Sequence, residues 1–171
     1  WEWHRVLRFV VRFDAETGQW VANLLLQGLF TTIRLAFWGT ILAAIIGLIM
    51  GYWRTCNSLA LRIISRTYVE LIRNIPPLIF IFIFYFFIAS QVFPALGLNN
   101  INTSSPWVDN AFFRFAFGDP RLFSNFLSGL ICLALFEAAY ITEIVRAGIQ
   151  SVKKGQWEAG GAIGLSRFNL L

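Results

Sequence analysis

The sequence predicts an all-α, polytopic membrane protein with about three transmembrane helices, and three observations carry that prediction. The chain is 57% hydrophobic and only 13% charged, with 18 Phe and 7 Trp. Soluble domains run nearer a quarter charged, and in water such a composition would expose large apolar patches. Second, the apolar residues gather into runs of the length a bilayer demands, roughly 20 residues for a ~30 Å hydrocarbon core at ~1.5 Å rise per residue. Third, the net charge of +5 is spread as basic residues flanking those runs. That is the membrane pattern and not the dense patch that nucleic acid requires. The chain begins at Trp1 and reads as a piece of a longer subunit.

Residues 1–23 precede the first run and are expected to form an N-terminal interfacial segment. Arg5, Arg8 and Arg12 accompany Trp1, Trp3, Phe9 and Phe13, a mixture suited to a helix lying at the membrane surface. The first span runs from about Leu24 to Tyr52. Arg34, near its start, is expected to snorkel toward the headgroups. Gly39, Ala43, Gly47 and Gly51 recur every four residues and make one flat stripe for helix packing. The plainer alternative is the ordinary Gly and Ala content of membrane helices.

Asn57 to Arg73 is amphipathic: Leu59, Ile63, Val69 and Ile72 alternate with Arg62, Arg66, Glu70 and Arg73. It reads either as a basic surface helix or as the cytoplasmic end of the second span. Glu70 and Arg73, at i and i+3, suggest a weak exposed ion pair on a solvated face; a gate is the alternative. Pro76 and Pro77 then either open the hydrocarbon part of the second span, where a first-turn proline is tolerated, or kink one long helix. Leu78 to Ala89 alternates Ile and Phe in a strand-like way. A lone strand would leave backbone groups unpaired in lipid, so a helix is expected.

Residues 93–122 carry Pro94, Pro106 and Pro120 and form a loop of roughly thirty residues, long enough to have a role of its own. Trp107, Phe112, Phe113, Phe115 and Phe117 suit a short interfacial helix within it. Asn102-Thr103-Ser104 matches a glycosylation sequon and is read as chance. The third span runs from about Phe123 to Val152. Arg54, Arg62, Arg66 and Arg73 between the first two spans, with Lys153 and Lys154 after the third, place those ends in the cytoplasm and loop 93–122 outside; Arg5, Arg8 and Arg12 argue the other way.

No phosphate-cradling glycine loop is present. His4 is the single histidine, and Cys56 and Cys132 make neither a disulfide framework nor a metal site. Catalytic residues are expected to be none, and the subunit is read as no enzyme. The informative polar residues lie in the third span. Glu143, Arg146 and Gln150 share a helix face, with Tyr140 at its edge. A charge in the bilayer is costly, about 2.5–3.5 kcal/mol on insertion scales, so this face should meet protein or water. Tyr140, Glu143 and Gln150 are candidates for a translocation pathway; alternatively Glu143 and Arg146 merely pair and anchor the helix end. Glu137 lies deeper, with the same two readings.

Past the third span comes Lys153-Lys154-Gly155-Gln156-Trp157-Glu158-Ala159-Gly160-Gly161-Ala162-Ile163-Gly164. Gly155 is expected to end the span, and Gln156 to Ile163 to form a short helix. Its small residues would let a partner approach the backbone, while Gly160 and Gly161 weaken an isolated helix by up to ~1 kcal/mol each. Trp157, Ile163 and Leu165 can serve as anchors, Gly164 lets the chain turn, and Ser166 can cap another helix after it. A plain solvent loop is the alternative.

Glu158-Ala159 followed by Gly164 resembles the EAA loop in membrane subunits of bacterial ABC importers. Three further tracts are similar to polar amino-acid ABC permeases: Tyr68 to Leu78, with its Ile75-Pro76-Pro77; Ala139 to Ser151, running into Lys154-Gly155-Gln156-Trp157-Glu158-Ala159; and Leu26-Gln27-Gly28 with Thr31-Thr32. The resemblance covers most of Leu24–Ser166 apart from the outer loop. It implies a permease subunit in the bacterial inner membrane, working with a second permease subunit, identical or homologous, and a periplasmic amino-acid-binding protein. It also implies a separate ATP-binding subunit that holds ATP and Mg, leaving no cofactor on this chain. On that resemblance residues 24–152 form the transmembrane permease region and residues 153–171 the cytoplasmic coupling loop, with Gly155, Gln156, Trp157, Glu158, Ala159, Gly160 and Gly164 contacting the ATPase. Gly160 departs from the family's second Ala, loop 93–122 is longer than usual, and the family's last spans fall beyond Leu171. The alternatives are an ABC importer for another small solute such as methionine or an opine, an ATP-independent channel, and a membrane enzyme.

Overall fold

The structure is a computed structural model that describes residues 9–14, 18–95, 97 and 111–164. Among them three helical stretches are long and apolar enough to cross a membrane: Leu24–Thr55, Pro77–Ala95 and Pro120–Ser151. The chain divides into two compact units, residues 1–38 with 90–130 and residues 39–89 with 131–171.

In the first unit Phe9 and Val10 are helical, as an interfacial helix would have them, but Arg12 and Phe13 lie on a strand of a hairpin and not on that helix. Strand β1 (Val11–Asp14) pairs antiparallel with β2 (Gln19–Ala22), Phe13 opposite Trp20. Those two rings meet edge-on at 5.4 Å, a cross-strand pair that favours the ladder. Gly18, at φ +65°, supplies the left-handed residue of the connection. Trp1, Trp3, Arg5 and Arg8 lie outside the described residues. Helix α1 (Leu24–Thr55) then opens with Asn23 Oδ1 accepting from the Leu24 N–H at 2.9 Å. Thr31 and Thr32 are tolerated in this apolar helix because their hydroxyls donate back to the Gln27 and Gly28 carbonyls, at 2.8 and 2.9 Å.

The aromatic cluster of the outer loop does form a short helix, over Ala111–Phe117, here called α5; Trp107 and the Asn102 sequon lie outside the described residues. Its C-terminal carbonyls are exposed acceptors that a helix this short cannot satisfy alone. Two side chains one turn apart on α1 take them: Arg34 Nε donates to the Phe115 carbonyl at 2.7 Å and Trp38 Nε1 to the Ala116 carbonyl at 3.1 Å. Arg34 therefore also reaches a protein carbonyl, a partner that the expectation of snorkelling did not include. Trp38 also stacks on Phe117 at 5.4 Å. Gly118, at φ +91°, donates to the Arg114 carbonyl at 3.0 Å and closes the helix with a left-handed cap.

The second unit is built on small residues. Gly39, Ala43, Gly47 and Gly51 are the buried residues of α1. The third span is helix α6 (Phe123–Ser151), and Ala43 packs with its Ala134 and Ala138 in a fully buried cluster. A Cβ built on Gly47 would stand 2.5 Å from Ile141 Cγ2, and one on Gly51 2.6 Å from Val145 Cβ. The backbones of α1 and α6 thus approach to a distance only glycine permits.

The amphipathic segment is helix α2 (Leu59–Asn74), which buries Ser65, Val69 and Ile72; Leu59 and Ile63 stay exposed. Fully buried Ser65 donates to the Met50 carbonyl at 2.7 Å, and the Tyr68 hydroxyl donates to the Leu135 carbonyl. Helix α2 stops at Asn74, with Ile75 extended at φ −96°, ψ 128°, as a residue before proline prefers. Helix α3 starts afresh with Pro77 in its first turn (Pro77–Ile83). The prolines therefore open the second span and do not kink one long helix. Phe84–Ala89 continues it as a π-helix, and α4 (Ser90–Ala95) completes it with Pro94 inside. The loop accordingly begins after Ala95, not at residue 93.

Candidate functional site

The residues singled out in the third span converge on Glu143, in the second unit. Its Oε2 accepts from Arg146 Nε at 2.8 Å, the i, i+3 pairing expected of one face. Its Oε1 is taken by Arg54, the last-turn basic residue of α1. The carboxylate is thus clamped between two guanidinium groups from two helices. Arg146 also donates to Gln150 Oε1, so Glu143, Arg146 and Gln150 form one hydrogen-bonded row. Arg54 and Glu143 are about four-fifths buried, with side chains 17% and 20% exposed. Their pairing is therefore less screened than a surface ion pair. No spacing rule points to the Arg54 contact, because it joins residues 89 apart in sequence. The available signal is a basic residue ending one apolar helix and an acidic residue near the end of another.

Tyr140, the fourth residue of that face, is half exposed. It carries the Arg73 guanidinium over its ring at 5.5 Å, a cation–π contact, and its own edge packs on Phe136 at 5.5 Å. Arg73 is therefore not paired with Glu70; Glu70 accepts from Arg66 Nε at 2.7 Å, one turn back. Burial pushes the Tyr68 phenol up to about 12, so it acts as a hydrogen-bond donor across the physiological range. Glu137, deeper in α6, is exposed in an apolar span.

The segment after the third span forms helix α7 over Lys154–Ala162. Gly155 does not end the span. Helix α6 stops at Ser151, Lys153 is extended at φ −66°, ψ 144° as the cap of α7, and Gly155 lies in that helix's first turn. The break falls earlier because the Gln156 N–H donates to the Lys153 carbonyl at 2.9 Å, starting a new helix. Gly155, Gln156, Glu158 and Ala159 are exposed, whereas Gly160 is buried. Gly164, at φ +80°, donates to the Gly161 carbonyl at 3.1 Å and turns the chain out of the helix in a conformation that L side chains resist. Ile163 is 77% exposed. The Trp157 side chain, Leu165 and Ser166 lie outside the described residues.

Residues 43–171 match the family described as "Binding-protein-dependent transport system inner membrane component". The chain is 31% identical over 85% of its length to "Probable amino-acid ABC transporter permease protein YckA" of Bacillus subtilis (strain 168), covering 52% of that protein. It is 34% identical over 82% of its length to "Glutamate/aspartate import permease protein GltJ" of Escherichia coli (strain K12), covering 51% of it. Against "Glutamate/aspartate import permease protein GltK" of E. coli O6:H1 it is 28% identical over 84% of its length, covering 55%. The chain thus spans about half the length of the curated relatives it matches. No solved structure matches it significantly. Three membrane-length helical stretches, a short helix directly after the third, and a family match over three quarters of the chain agree: this multi-pass membrane chain belongs to the binding-protein-dependent transport system inner membrane components.

Proposed function

We propose that the chain is a permease subunit of an ATP-driven ABC importer for polar amino acids in the bacterial inner membrane. The observation that supports this most is the match of residues 43–171 to the transport family, joined to relatives whose names specify amino-acid, glutamate and aspartate transport. The partners of this reading are a second permease subunit, an ATP-binding subunit that holds ATP and Mg, and a periplasmic amino-acid-binding protein. Residues 24–152 contribute to the pore, and residues 153–171 hold the coupling loop.

Helix α7 suits the coupling role on physical grounds. Only Val152 and Lys153 separate it from α6, so a load on α7 is transmitted to the end of a membrane-length helix with little slack. Its exposed Gly155, Gln156, Glu158 and Ala159 present a surface of mostly low relief to a partner. Gly164 fixes where the chain leaves that surface. ATP binding on the partner can shift the pore between access states only if the partner docks better on one of them.

Uptake of a panel of radiolabelled amino acids into vesicles holding the complete transporter and its binding protein, with and without ATP, tests this. ATP-dependent uptake of a few polar amino acids is expected. ATP-independent flux, or no amino-acid uptake by an assembled complex, would refute it.

A further inference from the structure

The first unit holds a polar pocket of about 470 Å³ lined by Arg34, Arg114, Gly118, Asp119, Pro120 and Arg121. Its lining brings Arg34 and Arg121 together with a single carboxylate, that of Asp119. Asp119 is tied to its own turn, where Oδ1 accepts from the Arg121 backbone N–H at 2.9 Å. Arg34 uses Nε on the Phe115 carbonyl, which leaves its two terminal nitrogens as donors. Its Nη1 stands 3.1 Å from where a Gly118 Cβ would be, so the glycine leaves room for the guanidinium there. The Arg121 guanidinium has no carboxylate partner among the described residues. The pocket therefore offers convergent donors and excess positive charge, the chemistry that recognises a phosphate.

The surface around these donors is apolar and exposed. Phe112 and Phe115 are 74% and 78% exposed, and Leu122 is 58% exposed. Arg34 lies in the first third of α1, a helix of membrane length. A soluble anion would have no use for exposed aromatic rings beside its site, whereas a lipid has acyl chains to lay on them. We propose that this pocket binds the phosphate of an anionic phospholipid, whose acyl chains run along Phe112, Phe115 and Leu122. An anionic headgroup fits better than a zwitterionic one, because the guanidinium groups of Arg34 and Arg121 repel a headgroup amine.

The test is native mass spectrometry of the full-length protein, with whatever subunits copurify, released from nanodiscs of phosphatidylglycerol, phosphatidylcholine or an equal mixture. The wild type should retain phosphatidylglycerol in preference to phosphatidylcholine. Removing a charge-assisted donor should weaken retention about tenfold in each of Arg34→Gln and Arg121→Gln. Arg12→Gln on β1 removes the same charge elsewhere and should retain lipid as the wild type does. Arg121→Gln leaves the Arg34 bond to Phe115 in place, so it reports on the pocket even if Arg34→Gln folds poorly. Equal retention by wild type and Arg121→Gln overturns the proposal. So does displacement by inorganic phosphate with no preference between the lipids, which would assign the pocket to a soluble anion.

Discussion

Gly47→Ala adds one methyl group at the tightest approach of α1 to α6, and its effect can be worked from the coordinates. The new Cβ would lie 2.5 Å from Ile141 Cγ2, 2.6 Å from Ile141 Cβ and 3.2 Å from the Ala138 carbonyl. Carbon pairs settle near 3.5–4.0 Å, so the helices must part by about 1 Å or Ile141 must leave its rotamer. The Ile141 Cβ is fixed to the α6 backbone, so a rotamer change relieves only one of the two carbon contacts. Overpacking of this kind costs about 1–3 kcal/mol, offset by up to about 1 kcal/mol from alanine's better helix propensity. Gly148→Ala in α6 gains the same propensity with nothing within 4 Å of the new Cβ. Thermal unfolding of the detergent-solubilised protein should therefore rank Gly148→Ala at or above the wild type and Gly47→Ala below it. Ile141→Ala in the Gly47→Ala background should restore part of the loss. Equal midpoints for the two glycine variants would refute the close-packing argument.

Four further outcomes are expected. A double-mutant cycle of Arg54→Gln and Glu143→Gln, read by the same unfolding assay, should give a coupling of about 0.5–3 kcal/mol; additivity would mean the pair contributes nothing. Gly164→Asp places a side chain at φ +80° and a charge beside α7, and on the proposed function should abolish transport while the subunit still folds and inserts; normal uptake would remove the proposed coupling role. Stability should fall as pH rises from about 10 to about 12, because burial raises the folded Tyr68 phenol to about 12 from an ordinary 10 and the unfolded chain loses its proton first. Tyr68→Phe should lack this part of the alkaline loss, and an unchanged alkaline profile would exclude Tyr68 as its source. Removing the hydroxyl should also cost about 1 kcal/mol at neutral pH, since the Leu135 carbonyl loses a donor.

The spans are legible in the sequence because a bilayer imposes length and composition, and both are local properties of a chain. The small-residue stripe of α1 is legible for the same reason: a four-residue period needs no knowledge of the partner helix. Long-range pairing is not. Arg34 reads as an arginine near a membrane surface, yet it and Trp38 cap the carbonyls of a helix about eighty residues away. Spacing pairs Arg73 with Glu70, but an aromatic ring on another helix competes for it. The hairpin at Val11–Asp14 and Gln19–Ala22 is hidden because its aromatic and basic residues suit a surface helix equally well. Residue preference alone makes Gly155 a helix end, whereas the break is set by backbone hydrogen bonding at Lys153.

Glu143 is where the two readings of the third span can be weighed. A carboxylate that handles cargo needs acceptor capacity left over for it. Here Oε1 is engaged by Arg54 and Oε2 by Arg146, and Arg146 is itself held by Gln150. Removing the carboxylate would leave two partly buried cations facing each other, and breaking such a pair costs more than making it gains. That arrangement ties the last turn of α1 to α6 two turns before α6 ends, and α7 follows α6 after two residues. On the proposed function, Glu143 is thus better placed to carry a displacement of α7 into α1 than to touch a solute. Glu137, exposed and two turns deeper, keeps the free acceptor capacity that Glu143 lacks. On that proposal Glu143→Gln should weaken ATP-driven transport of every accepted solute by a similar factor, and Glu137→Gln should change their relative rates. A reversal of those two patterns would place the solute at Glu143 instead.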